Sequence, residues 1–125
     1  MRPRIHEIIN CLSSGEKGLE DATTVAGILF ERFGDRITRE EARSIIDEED
    51  AAIDLTEVER DQLLQALLDN LENTDLPSTS FLYAIKKSAD ERAVSVLLNA
   101  TRRFMLNGAS DLLLDSCMNA LIVCG

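Results

Sequence analysis

Three features of the 125-residue sequence predict an all-α fold: apolar residues recur at three- and four-residue spacing from end to end, two capping boxes mark helix starts, and no stretch alternates with period two. Ile5, Ile8, Ile9 and Leu12 define a first helix, with Pro3 near its start and Gly15 past its end. Ala22, Val25, Ala26, Leu29 and Phe33 define a second, stopped by Gly34. Thr38 with Glu41 opens a third helix, with Ala42, Ile45 and Ile46 inward and an end near residue 48. Thr56 with Glu59 opens a fourth, whose inward stripe is Leu64, Leu67, Leu68 and Leu71. Asn73 to Pro77 interrupts the chain, and a short fifth helix carries Phe81, Leu82, Ala84 and Ile85. A sixth starts near Asp90, carries Val94, Leu97, Leu98, Thr101, Phe104 and Met105, and ends at Gly108. The seventh runs from about Ser110 to Cys124. The expectation is one domain over residues 1–125, a multi-helix bundle of about seven helices.

Composition narrows the chemistry. The chain is 45% hydrophobic and 29% charged, as folded proteins are, and with 4% aromatics and no Trp its core must be aliphatic. No signal peptide and no membrane-spanning run is legible, so the expected compartment is the cytoplasm. The odd cysteine count of Cys11, Cys117 and Cys124 argues against a disulfide framework. Cys117 and Cys124 lie seven apart on one helix, a rise of about 10.5 Å, too far to bridge. All three read as reduced thiols packed in the core.

Catalytic patterns are missing. His6 is the sole histidine, the six glycines are scattered at element ends rather than forming a phosphate loop, and Ser13, Ser14, Ser78, Thr79 and Ser80 read as cap and turn residues with no histidine nearby. A calcium loop over Glu48, Asp50 and Glu59 would need a side-chain ligand at Ala52 and glycine at Ile53. No enzyme, cofactor or metal is expected. The basic pairs Lys86-Lys87 and Arg102-Arg103 are short and lack an aromatic platform, and a pI near 4.5 disfavours phosphate backbones.

Charge placement is the informative feature. Residues 1–39 hold six acids and six bases, and residues 76–125 hold four and five. Residues 40–75 hold thirteen acids against Arg43 and Arg60 alone, which accounts for the net charge of −10. The acids Asp47, Glu48, Glu49, Asp50, Asp54, Glu57 and Asp61 are either a solvated face or an anionic surface for a basic partner. Placed at the end of a third helix, Asp47 and Glu48 would oppose the helix dipole at about 0.3–1 kcal/mol each.

Two resemblances bear on this pattern. "DERAVSVLLNATRRF" followed by "DLLLDSCMNALIVCG" is similar to one HEAT-type helical hairpin, with no second copy at a fixed period. A plain bundle and a small solenoid both remain open. In length, helicity, acidity and single-domain plan the chain also resembles the small all-helical immunity proteins of bacterial contact-dependent growth-inhibition systems. That resemblance implies a cytoplasmic antitoxin that neutralises a cognate basic, nuclease-like toxin, with the seven acids as the partner surface. The alternative is a helical adaptor, regulator or DNA mimic of another pathway.

Overall fold

The computed structural model describes residues 2–14, 18–74 and 77–125, and the fold is all-α. Eight helices are described: α1 (Pro3–Ser14), α2 (Leu19–Phe33), α3 (Arg39–Arg43), α4 (Glu48–Ala51), α5 (Glu57–Glu72), α6 (Thr79–Ser88), α7 (Ala93–Leu106) and α8 (Asp111–Cys124). Gly15, expected just past the first helix, lies outside the described residues. Both capping boxes form as read, and Ser78 and Ser110 cap α6 and α8 by accepting from the amides of Phe81 and Leu113.

The third helix departs from expectation by dividing in two. α3 ends at Arg43, and α4 begins after Asp47, whose backbone is extended. A continuous helix would place Asp47, Glu48 and Glu49 towards its negative end. The break leaves basic Arg43 at the last turn of α3 and moves Glu48, Glu49 and Asp50 into the first turn of α4, where the dipole favours them. Ile46 is half-buried between the two halves, whereas Ile45, expected inward, is exposed. α3 and α4 close a small separate cluster, Ala42 and Ala51 against Ile28 of α2.

The six longer helices form three successive pairs, α1–α2, α5–α6 and α7–α8, stacked side by side. One layer contains α1, α5 and α7, and the other α2, α6 and α8. Named contacts give the directions. Arg2 meets Glu59 and Leu12 meets Asn70, so α1 and α5 run the same way. Arg92 meets Asp61 and Arg103 meets Leu71, so α7 follows α5. In the other layer Gly27 lies against Ala84 and Glu31 against Lys87, so α2 and α6 are parallel. Arg60 donates to the Ser88 carbonyl, which makes α5 and α6 antiparallel within their pair.

The result is a multi-helix bundle in which each pair buries its apolar face against its neighbours. One core runs through all three pairs, with Ile5, Leu29, Leu63, Leu67, Leu82 and Phe104 fully buried or nearly so. Leu63 belongs to that core although the sequence pattern did not single it out. Leu98 and Met105, part of the apolar spacing that marks this helix, are exposed on α7. Cys117 and Cys124 are buried thiols and Cys11 is half-buried.

Candidate functional site

The seven acids read as a partner surface, together with Glu59, divide into two groups. The first group is tied into the fold by arginines from elsewhere in the chain. Asp50 is buried, and both its oxygens accept from Arg4, at 2.8 and 2.9 Å. Glu59 is buried and accepts from Arg2 at 2.6 and 3.0 Å, while also closing the capping box on Thr56. Asp54 pairs with Arg32 at 2.8 Å and lies 3.9 Å from Arg39. Asp61 pairs with Arg92 at 2.6 Å, and Arg92 and Arg60 also hold Asp90. The arginines of the outer thirds thus fold onto the acids of the middle third, an arrangement invisible in charge totals taken segment by segment.

The second group stays open to solvent. Asp47, Glu49 and Glu57 are exposed and make no ion pair among the described residues, and Glu48 has only an exposed contact to Arg43 at 3.2 Å. Asp47, which precedes α4, and Glu48 and Glu49 of its first turn form an exposed acidic ridge. Glu57 stands on the first turn of α5, whose start is fixed by a capping box. Of the seven acids read as a partner surface, Asp50 is therefore a structural residue, Asp54 and Asp61 are engaged by arginines, and Asp47, Glu48, Glu49 and Glu57 present their charge outward.

The internal pairs shift acid strengths in a testable direction. Hydrogen bonds from the Arg2 guanidinium, against the opposing effect of burial, hold the Glu59 carboxyl down at about 2 from an ordinary 4.5. Arg92 and Arg60 hold Asp90 well below the usual carboxylate range in the same way. A folded-state value below the unfolded one means the stabilisation is complete above about pH 4.5 and fades as pH falls towards 2. Because Arg2 is 44% exposed, the Glu59 contribution is discounted to about 1 kcal/mol. Glu59→Gln retains capping-box geometry but removes the charge. Its melting temperature should lie below that of the parent at pH 7 and converge on it near pH 2. A gap that stays constant across this range would show that the ion pair adds nothing.

A groove missed by the sequence reading opens over α6, between α2 and α8. Its volume is about 500 Å³. Ile28, Ala84, Ile45 and Leu112 supply apolar lining, and Thr79, Ser80 and Asn119 supply polar groups. At one end the Tyr83 ring lies beneath Lys87, 4.5 Å from its centroid, and Lys87 pairs with Glu31 at 2.6 Å. Burial pulls the Lys87 pKa down, yet hydrogen bonds to Glu31 and Tyr83 prevail and leave it raised. The only signal for this groove in the sequence was the hydroxyl run Ser78-Thr79-Ser80, which reads equally well as a helix cap.

Among the described residues no group of three or more His, Cys, Asp or Glu side chains is arranged to hold a metal ion. No helix among them is long and apolar enough to cross a membrane. Comparison with protein-family models, curated proteins and solved structures found no match.

Proposed function

We propose that the chain is a protein-binding protein that occupies a basic partner, and that it acts in the cytoplasm as an immunity protein against a cognate toxin of nuclease type. The observation that carries this reading is the division among the acids. Neighbouring acids of the same segment are neutralised within the fold, while Asp47, Glu48, Glu49 and Glu57 remain outward. The ridge is held by the Ile28–Ala42–Ala51 cluster and Glu57 by a capping box, so little ordering remains to be done on binding. A nuclease surface is basic because its substrate is anionic, and an anionic ridge competes for it while accelerating encounter.

A second reading, a helical adaptor or regulator, is favoured by the groove over α6, since stacked helical pairs commonly bind partners along one layer.

The test is capture of the native partner from the protein's own host by the parent chain and by the triple variant Asp47→Ser, Glu48→Ser, Glu49→Ser. These exposed side chains contribute one surface ion pair, so the variant should fold normally. The expected result is a basic protein whose activity is abolished by an equimolar amount of the parent. The variant should bind it on the order of a hundredfold more weakly and with a shallower salt dependence. Equal affinities and equal salt slopes would overturn the ridge as the contact surface.

A further inference from the structure

Helical spacing builds the groove over α6. Thr79, Tyr83 and Lys86 stand at i, i+4 and i+7, and Ser80, Ala84 and Lys87 repeat that spacing one position on, so the two rows share the face of α6 that lines the groove. Gly27 of α2 lies against Ala84, and these two small residues leave the middle of the groove unfilled. Ile28 of α2 and Leu112 of α8 line it with apolar surface. The polar groups stand at its ends. At the start of α6 the Thr79 and Ser80 hydroxyls make no hydrogen bond among the described residues. At the other end Glu31 and Lys87 neutralise each other at 2.6 Å, and Lys86 has no carboxylate partner among the described residues. The charged lining, one Glu and two Lys, is therefore one unit positive on a chain whose net charge is −10.

We infer that the groove is a binding site for a small amphipathic organic anion, with its apolar body beside Ile28 and Leu112, its anionic group at Lys86 and a hydrogen-bonding group at Thr79 and Ser80. Volume selects a small molecule over a partner helix. The groove's volume of about 500 Å³ falls within the ~300–1,000 Å³ of small-molecule sites. Two turns of a helix, a cylinder about 11 Å across and 11 Å long, would need roughly 1,000 Å³. Thr79 and Lys86 are seven positions apart on one helix, so the two polar ends are separated by about 10.5 Å, which sets the length of the apolar body. Charge selects the headgroup. Lys86 is the cation of the lining that no carboxylate neutralises, and the acids elsewhere on the surface are screened beyond about 8 Å at physiological ionic strength. None of the charged lining belongs to the acidic ridge, so the site operates whether or not the ridge engages a partner.

The experiment titrates the full chain with two fluorescent probes of one shape, anionic 8-anilinonaphthalene-1-sulfonate and its neutral counterpart N-phenyl-1-naphthylamine. The expected result for the parent is one saturable sulfonate site per chain, bound more tightly than the neutral probe. Lys86→Glu should weaken the sulfonate at least tenfold and the neutral probe less than twofold, and Lys86→Arg should retain both. Leu112→Asp places a carboxylate in the apolar lining and should weaken both probes at least tenfold. Ile122→Asp is the control, because Ile122 is 73% exposed and lies outside the groove, and it should change neither. Circular dichroism should show the same helicity for all of these chains, since Lys86 is half-buried and the other two side chains are exposed. Absence of saturable sulfonate binding up to millimolar probe would overturn the inference. So would equal losses of the two probes in Lys86→Glu, or a loss in Ile122→Asp as large as that in Leu112→Asp, which would mark adhesion to exposed apolar surface.

Discussion

Phe104→Ala is expected to destabilise the protein by about 3–5 kcal/mol, a large part of the ~5–15 kcal/mol that holds a domain of this size together. Phe104 is fully buried in the core of the last pair. With only four Phe, one Tyr and no Trp in the chain, few large side chains are available to collapse into the space it leaves. The thermal midpoint should fall on the order of 10–20 °C. Phe33 provides the control. It is 37% exposed at the end of α2, with Arg60 5.6 Å from its ring centroid, and its replacement by alanine should cost about 1 kcal/mol or less. Melting curves followed by circular dichroism give both values. Comparable losses at the two positions would mean that the core does not close around Phe104.

Gly27 should show opposite signs for small and large replacements. It lies where α2 crosses α6, and an added Cβ would come 3.5 Å from Ala84 Cα and 3.7 Å from its Cβ, which is ordinary contact. Its backbone is ordinary right-handed helix, since the positive-φ glycines are Gly18 and Gly108. Gly27→Ala therefore adds helix propensity and should stabilise by about 0.5–1 kcal/mol. Gly27→Leu crowds the α2–α6 crossing at Ala84 and Lys87 with whatever part of its side chain does not turn into the groove, and should cost about 1–3 kcal/mol. It should also narrow the groove over α6, because Gly27 and Ala84 both line it. Chemical denaturation of the three proteins decides this. A destabilising alanine would mean that the crossing is tighter than ordinary contact.

Local features were legible in the sequence and distant pairings were not. Thr38, Thr56, Ser78 and Ser110 announce helix starts because a cap depends on residues three positions apart. The division of α3 from α4 was hidden because Ala42, Ile45 and Ile46 fit one helical stripe. What breaks the stripe is the better placement of Asp47 to Asp50, together with the contact of Ala51 on Ile28. Stacking of three pairs left no repeated sequence pattern, since shape and aliphatic bulk suffice to fit one pair to the next. Leu98 and Met105 illustrate the limit of periodicity: it shows that a helix has an apolar face, not that the face is covered. In the acidic segment the separation of Asp50 and Glu59 from the other acids rests on Arg4 and Arg2, 46 and 57 positions away. Only the folded chain brings those partners together.

The order of the helical pairs also governs how the chain acquires its structure. The α5–α6 pair in the middle is the one that packs on both others, through α1 and α7 in one layer and α2 and α8 in the other. Its helices are adjacent in sequence, so it can form at small loop-closure cost. Either flanking pair can then add to an existing template instead of searching for a distant partner. Such a nucleus implies fast, zipper-like acquisition of structure. Lesions in α5 or α6 should slow folding, whereas lesions in α1 or α8 should mainly hasten unfolding.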